Sequence, residues 1–447
     1  MRTLMLFINF HLKYIGILLK LTLIALFYCS CNNYPSEVKR VLSAAGENRQ
    51  ELEKVFNTYK KNPGDSLKLK AAFFLVSHMP GKYGYRSSQL QRYKALFKEI
   101  EKIEDYKGLM PPLFMGDSYP EVDSLWNNLS ESHRLSPNQA LPIVNDIQYI
   151  DSKYLIENIE YAFKAWELPW AKHLDFEEFC NYILPYRFKD EPLTRWRPYI
   201  CDYYSKKIDS LAKLGIKNPE KICNFLNRDL SSWWRYSKII SKYPISMEIE
   251  DLFSAKMGSC THHTQLGLYV MRTFGLPVSH EQIPQYGNRS LGHDFNSLLI
   301  SENKFLDFEI GNLELGSVVE ARHKWNFMIP KIYRQTWSYN KSSLFNQTKN
   351  KNDIPPYFKN PFIKDVTHKF IKTTDIELQI DKPYQIYEHV YLCVFDNHDW
   401  YAVDWAEINK KKNIAVFTNV GLNIIYMPMV YTERKYIPVG DPIKVDL

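Results

Sequence analysis

The apolar residues of this 447-residue chain keep two different rhythms, and the change falls near Pro355. Ahead of it they recur at steps of three and four. Val38, Val41, Leu42, Leu52 and Val55 share helical faces, with charged residues between them. Beyond it, residues 355–447 form short alternating runs rich in Val, Ile, Tyr and Trp, separated by turn residues. A repeat of 3.6 belongs to helices and a repeat of two to strands, so the fold class is α+β. The chain is also too long for one core and divides into two or three domains.

The pattern predicts helix from residue 36 to about 107, broken at 62–65 by Asn-Pro-Gly-Asp, with an apolar-rich stretch at 67–78 and a stop at the prolines of 110–112. Further helical stretches cover 151–168, 176–184 and 218–230, the last with Pro219 suited to a first turn. Residues 390–395 and 400–404, joined by Asp-Asn-His-Asp, read as a hairpin, and 413–418 and 422–430 add strands. These make a small antiparallel β-sandwich, with 341–354 as a linker. The expected division is a leader at 1–30, a helical region at 31–150, a core with a helical lead-in at 151–345, and the sandwich at 355–447.

Composition narrows the function classes. There are 57 Lys and Arg against 50 Asp and Glu, a net charge of +7, and three of those cations (Arg2, Lys13, Lys20) fall in the leader. The excess left behind is too small to make nucleic acid the default partner. A hydrophobic content of 45% with 15% aromatics excludes a disordered chain. Seven scattered cysteines, with no CxxC or HExxH, point to neither a disulfide scaffold nor a zinc site, and no metal or other cofactor is expected. In the leader, the apolar run 21–27 is about half of what a membrane span needs and has the size of a signal-peptide core. It resembles a bacterial lipoprotein signal. Cys31, preceded by the small Ser30, fits the lipidated position, whereas Cys29 follows the bulky Tyr28. Asn32 stands where an inner-membrane retention Asp would be. The resemblance therefore implies a lipid-anchored protein of the outer membrane, on its periplasmic side or at the cell surface. An ordinary signal peptide or an uncleaved anchor is the rival reading.

Chemistry concentrates in 256–277. Ser259 is placed to cap a helix running to Phe274, with Gly275 and Pro277 as its stop. Cys260 then falls in the first turn, where unpaired N–H groups and the helix dipole favour a thiolate and can receive an oxyanion. Gly258 would leave room for a substrate. His293 opens a strand at 292–300, a turn follows at 301–304, and a second strand at 305–309 carries Asp307 and Glu309. A cysteine at a helix start and a histidine on a strand are a common nucleophile and base.

These pieces in this order resemble the transglutaminase-like superfamily of cysteine enzymes. They are Gly258-Ser-Cys260 opening a helix, the closing Phe-Gly-Leu-Pro of 274–277, and His293-Asp-Phe-Asn296 with a hairpin carrying an acid. The match covers roughly 218–340. It implies a papain-like core, a helix packed on an antiparallel sheet, with Phe295 where the family usually has Trp. The family acid is normally Asp, which favours Asp307. Pairing residue 300 with 304 would put both acids on the histidine's face with Glu309 nearer, and a slip of one residue would turn both away.

For a second oxyanion donor the sequence offers the indoles of Trp233 and Trp234 and the amide of Gln285. His262 and His263 read as cleft lining or surface, and His280 as a weaker base because no acid follows it at hairpin distance. The segment 182–187 with 195–197 reads either as a groove lining or as a helix end. The resemblance implies acyl transfer through a thioester on a protein or peptide substrate, by hydrolysis or by cross-linking. The rival is an inactive lipoprotein that binds peptide or glycan, with Trp400 and Trp405 as platforms.

Overall fold

The computed structural model describes residues 34–103, 119–129, 141–311 and 314–446, so Cys31 and the expected stop at 110–112 lie outside the described residues. Helix Ser36–Ala44 buries Val38, Val41 and Leu42, and Arg49–Lys60 buries Leu52, Val55, Phe56 and Tyr59, so the apolar repeat does face the core. The 62–65 break is a capped turn in which the Asn62 side chain accepts from Gly64 N–H at 3.0 Å. After helix Ser66–Ser77, the positive φ of Gly81 turns the chain out of helix. A short strand β1 (Tyr83–Tyr85) follows and pairs with β2 (Ile143–Asn145) inside the region expected to be helical throughout. Helices Ser152–Trp166, Phe176–Tyr182 and Pro219–Trp233 stand where the sequence placed them. Each has a side-chain cap, from Asp151, Asp175 and Asn218. Residues 195–197 begin an 18-residue helix, Trp196–Lys213, rather than ending one.

A two-residue parallel pair, β3 (Arg235–Tyr236) with β4 (Met257–Gly258), delivers the chain to helix Cys260–Thr273. That helix is buried at every position from His262 to Thr273, as expected of an element covered on all sides. One side meets a five-stranded antiparallel sheet made of β5 (Val278–Ile283), β6 (His293–Ser301), β7 (Lys304–Phe308), β8 (Tyr333–Gln335) and β9 (Ile363–Asp365), in the order β7-β6-β5-β8-β9. Helices Ser152–Trp166, Trp196–Lys213 and Pro219–Trp233 also pack on it. Gly275 ends the central helix at φ +70°, and a Cβ there would sit 2.2 Å from the Ala165 carbonyl. Only glycine allows both the turn and this approach. Trp170 Nε1 then bonds the Phe274 carbonyl at 2.6 Å, locking the helical region onto the end of the central helix.

The C-terminal strands β10 (Thr373–Gln379), β11 (His389–Asp396), β12 (Asp399–Asn409), β13 (Ile414–Gly421), β14 (Ile424–Thr432), β15 (Lys435–Pro438) and β16 (Ile443–Val445) form one seven-stranded antiparallel sheet. This corrects the expected two-sheet sandwich. Val390, Leu392, Val403, Phe417, Tyr426 and Val430 cluster almost wholly with residues of the same sheet, so it curls and closes one face on itself. Its other face, with Tyr391, Cys393 and Met429, packs on Tyr333, Leu344, Phe358 and Ile363. The expected linker at 341–354 is therefore a packed segment containing helix Leu344–Gln347. Trp400 and Trp405 lie half-buried against that same cluster.

Lys331 fastens the two sheets together. Its buried ammonium lies 2.6 Å from Asp365 Oδ2 on β9 and 3.0 Å from Asp404 Oδ2 on β12, and it donates to the Thr418 carbonyl at 2.8 Å. Burial raises Asp404 to about 6 even though Lys331 pulls it down. Replacing Lys331 with Met leaves those carboxylates uncompensated and should cost about 3–5 kcal/mol in urea unfolding. Adding Asp404→Asn should recover part of that loss.

Candidate active site

The start of the central helix is built around His262. Ser259 N–H donates to His262 Nδ1 at 3.1 Å, the histidine half of a capping box. With Nδ1 accepting, the ring proton sits on Nε2, which donates to the Ile245 carbonyl at 2.9 Å. Burial lowers this histidine to about 4, so it is a neutral structural group. A Cβ on Gly258 would lie 2.6 Å from the His262 Cβ. The glycine therefore makes room for the cap, not for a substrate. His263 spans the Ile310 and Arg235 carbonyls at 3.0 and 3.1 Å and ties β3 to the chain beyond β7. Neither histidine lines a cleft or lies at the surface.

Cys260 is the first residue of the helix and keeps part of its surface exposed. The backbone amide of Asp294 on β6, the residue after His293, lies close enough to the Cys260 sulfur to act on the thiol. Burial and the Asp294 carboxylate push the thiol up to about 12, against the smaller pulls of that amide and of Arg322. The expected resting thiolate is thus corrected to a protonated thiol.

The β6–β7 register pairs Ser297 with Asp307 and Asn296 with Phe308. Two residues of the same parity nearer the ring, Glu309 brings Oε2 to 3.4 Å from His293 Nε2. Asp307 faces elsewhere, accepting from Val319 N–H at 2.7 Å and anchoring helix Val318–Lys324. From that helix Arg322 places Nη2 at 2.9 Å from His293 Nε2 and 2.6 Å from Glu309 Oε2. Burial would raise the Glu309 carboxyl, but His293 and Arg322 hold it down at about 2. A guanidinium only donates, so His293 Nε2 accepts from Arg322 and the proton of a neutral ring lies on Nδ1.

No family model, curated protein or solved structure matches this chain.

A second histidine–acid pair adjoins the first. Asp294 takes His280 Nε2 at 2.7 Å and Gln282 Nε2 at 2.9 Å on one oxygen, and Thr261 Oγ1 at 2.5 Å on the other. Despite burial, His280, Lys189 and Thr261 hold this carboxyl far below the usual range. The acid for His280 lies across the β5–β6 ladder, where Gln282 and Asp294 are direct partners. A search at hairpin distance after His280 could not find it.

Of the three expected oxyanion donors, Gln285 directs Nε2 to the Arg289 carbonyl at 2.9 Å. Trp234 is fully buried edge-on to His263, with ring centroids 5.7 Å apart. Trp233 packs on Phe253 and Tyr203. Two tyrosines, Tyr236 and Tyr286, lie within electrostatic reach of Cys260. Tyr286 is 1% exposed, its hydroxyl has no hydrogen-bond partner, and Arg322 and Glu309 act on it as well. Among the described residues no group of three or more His, Cys, Asp or Glu could hold a metal ion.

Alkylation tests this electrostatic picture. Iodoacetamide should modify Cys260 slowly at pH 7, with a rate climbing about tenfold per pH unit as thiolate forms. Arg322→Met removes a positive charge that lowers the thiol, so the rate at pH 7 should fall further. Site-resolved mass spectrometry reads both rates. Rapid, pH-independent labelling of the unaltered protein below pH 7 would contradict the raised thiol.

Proposed function

We propose that this chain is a transglutaminase-like cysteine enzyme carrying out acyl transfer or amide hydrolysis on a protein or peptide substrate. The observation that carries the reading is the placement of His293 between two partners. Its Nε2 faces Glu309 and Arg322, and the amide of the next residue meets the Cys260 sulfur. A papain-like core is the arrangement that the helix on the antiparallel sheet best supports.

In this reading the thiol gives its proton to His293 as sulfur attacks an amide carbonyl. For His293 to accept at Nδ1 its own proton must move to Nε2, which Glu309 receives once Arg322 withdraws. The first-turn N–H of Cys260 and the Tyr286 hydroxyl are the supported donors for the developing oxyanion. As the C–N bond breaks, His293 returns the proton to the leaving amine, and a thioester remains on Cys260. Water then releases the acid, or a second amine takes the acyl group. The leader's resemblance makes this a reaction at a bacterial envelope, on a protein tethered through Cys31. Among the described residues no helix is long and apolar enough to cross a membrane.

A peptide mixture followed by mass spectrometry tests the assignment. The unaltered chain should cleave or cross-link and Cys260→Ala should not; equal turnover by both would overturn it. Absence of turnover and of any acyl adduct would favour the second reading, a binding lipoprotein, to which the raised thiol and the Arg322 contact lend support.

Two comparisons assign the roles. Glu309→Gln should lower kcat by about 10²-fold or more, since an acid that orients the base acts in the transition state. Asp307→Asn should leave kcat within about threefold and lower stability by about 1–3 kcal/mol through the Val319 amide. In a separate measurement, Tyr286→Phe should lower kcat by about 10²-fold with KM little changed.

A further inference from the structure

Beside this site lies a cavity of about 360 Å³, bounded by β1, residues 185–189, β5 and residues 356–362. That volume is at the low end of small-ligand pockets, roughly 300–1,000 Å³. The cavity and the site share a wall: His280 and Gln282 line the cavity and hold Asp294, whose amide meets the Cys260 sulfur. Its charged lining is cationic, from Lys82, Arg187, Lys189, Arg272 and Lys359, and no described Asp or Glu lines it.

Of these cations Arg187 and Arg272 are already engaged, and Lys189 and Lys359 are exposed. Arg187 pairs with Asp146 at 2.6 Å and bonds the Glu191 carbonyl. Arg272 donates to the Val278 carbonyl at 3.2 Å, and Lys189 feels Asp294 and Cys260. Lys82 differs. It is 8% exposed, it lies over the rings of Phe362 at 3.5 Å and Trp337 at 4.2 Å, and it has no ion pair with any described carboxylate. A buried ammonium without a counter-ion is costly, and an incoming anion relieves that cost.

We propose that this cavity is an anion subsite in which Lys82 receives the carboxylate of a peptide ligand, with the Gln282 Oε1 and Gln335 Nε2 atoms left for its amide groups. One buried ammonium without an ion pair suits a monoanion. A phosphate is better served by a helix N-terminus or a guanidinium fork, and the two guanidinium groups beside Lys82 are committed. Describing the ligand as substrate rests on the acyl-transfer reading; carboxylate binding itself does not.

Burial lowers Lys82 to about 7, with Arg187 and Arg272 adding to the fall and Asp146 opposing it. The Lys82 charge in turn adds to the lowering of His78, at the end of the preceding helix. The ammonium is the binding form, so affinity for a carboxylate should be highest below pH 7 and fall as the pH rises past it.

The test is calorimetric titration of the full chain with N-acetyl-alanyl-alanine and, separately, its C-terminal amide. The acid should bind at least about tenfold more tightly than the amide. Cys260→Ala should keep that preference, so loss of turnover and loss of binding are read apart. Lys82→Met should erase it with an unchanged or raised melting temperature, since an uncompensated buried charge has been removed. Equal affinity for acid and amide, a preference that survives Lys82→Met, or tighter binding of inorganic phosphate than of the acid would each overturn the proposal.

Discussion

The half-buried carboxylate of Asp294 is the point on which the site turns. Thr261 bonds it from the helix that begins at Cys260, His280 and Gln282 bond it from β5, and its own amide meets the sulfur. Three elements that share no local sequence are thereby fixed to one residue. A buried charge is tolerated only when its lone pairs are filled, and here three donors fill them. His280 and Gln282, which hold this carboxylate, also line the cationic cavity, so helix start, sheet and cavity are linked through one residue.

That arrangement explains why Cys260 does not behave as its helix position alone would suggest. The first-turn amides and the dipole favour a thiolate, by about 0.3–1 kcal/mol for a typical exposed group. Desolvation and a fixed negative charge next to the sulfur act the other way and win, raising the thiol to about 12. Glu309 adds to the same side, while Arg322 opposes it. In the proposed reaction such a nucleophile would be created by proton transfer to the ring, not held beforehand as an ion pair.

Much of this site was legible because its parts announce themselves locally. Ser259 ahead of an apolar run, Gly275 with Pro277 behind it, and the alternation of 293–300 each specify an element through backbone preference or periodicity. Strand parity also put Asp307 and Glu309 on the histidine's face, and the observed pairing of Ser297 with Asp307 is the register that made Glu309 the nearer acid. Arg322, the Asp294 pairing with His280 and the unpartnered Tyr286 hydroxyl were not legible. They depend on a helix and loops whose placement is set by tertiary packing, and an Arg, an Asp or a Tyr in such segments carries no periodic signal. The same limit explains the C-terminal region. Alternation reveals strands, but whether they make two sheets or one curled sheet depends on pairings that alternation does not encode.

The two acids on β7 and just beyond it do separate jobs, and the second depends on the first. Asp307 is lodged at the start of helix Val318–Lys324, where burial raises its carboxyl and the amides of Val319, Asp307 and Val318 draw it back. Arg322 stands three residues after Val319, one turn along that helix, and so reaches the ring of His293 and the carboxylate of Glu309 together. Family habit pointed to Asp307 as the orienting acid and register pointed to Glu309. The geometry gives each a place: Glu309 faces the His293 ring, and Asp307 holds the helix that carries Arg322.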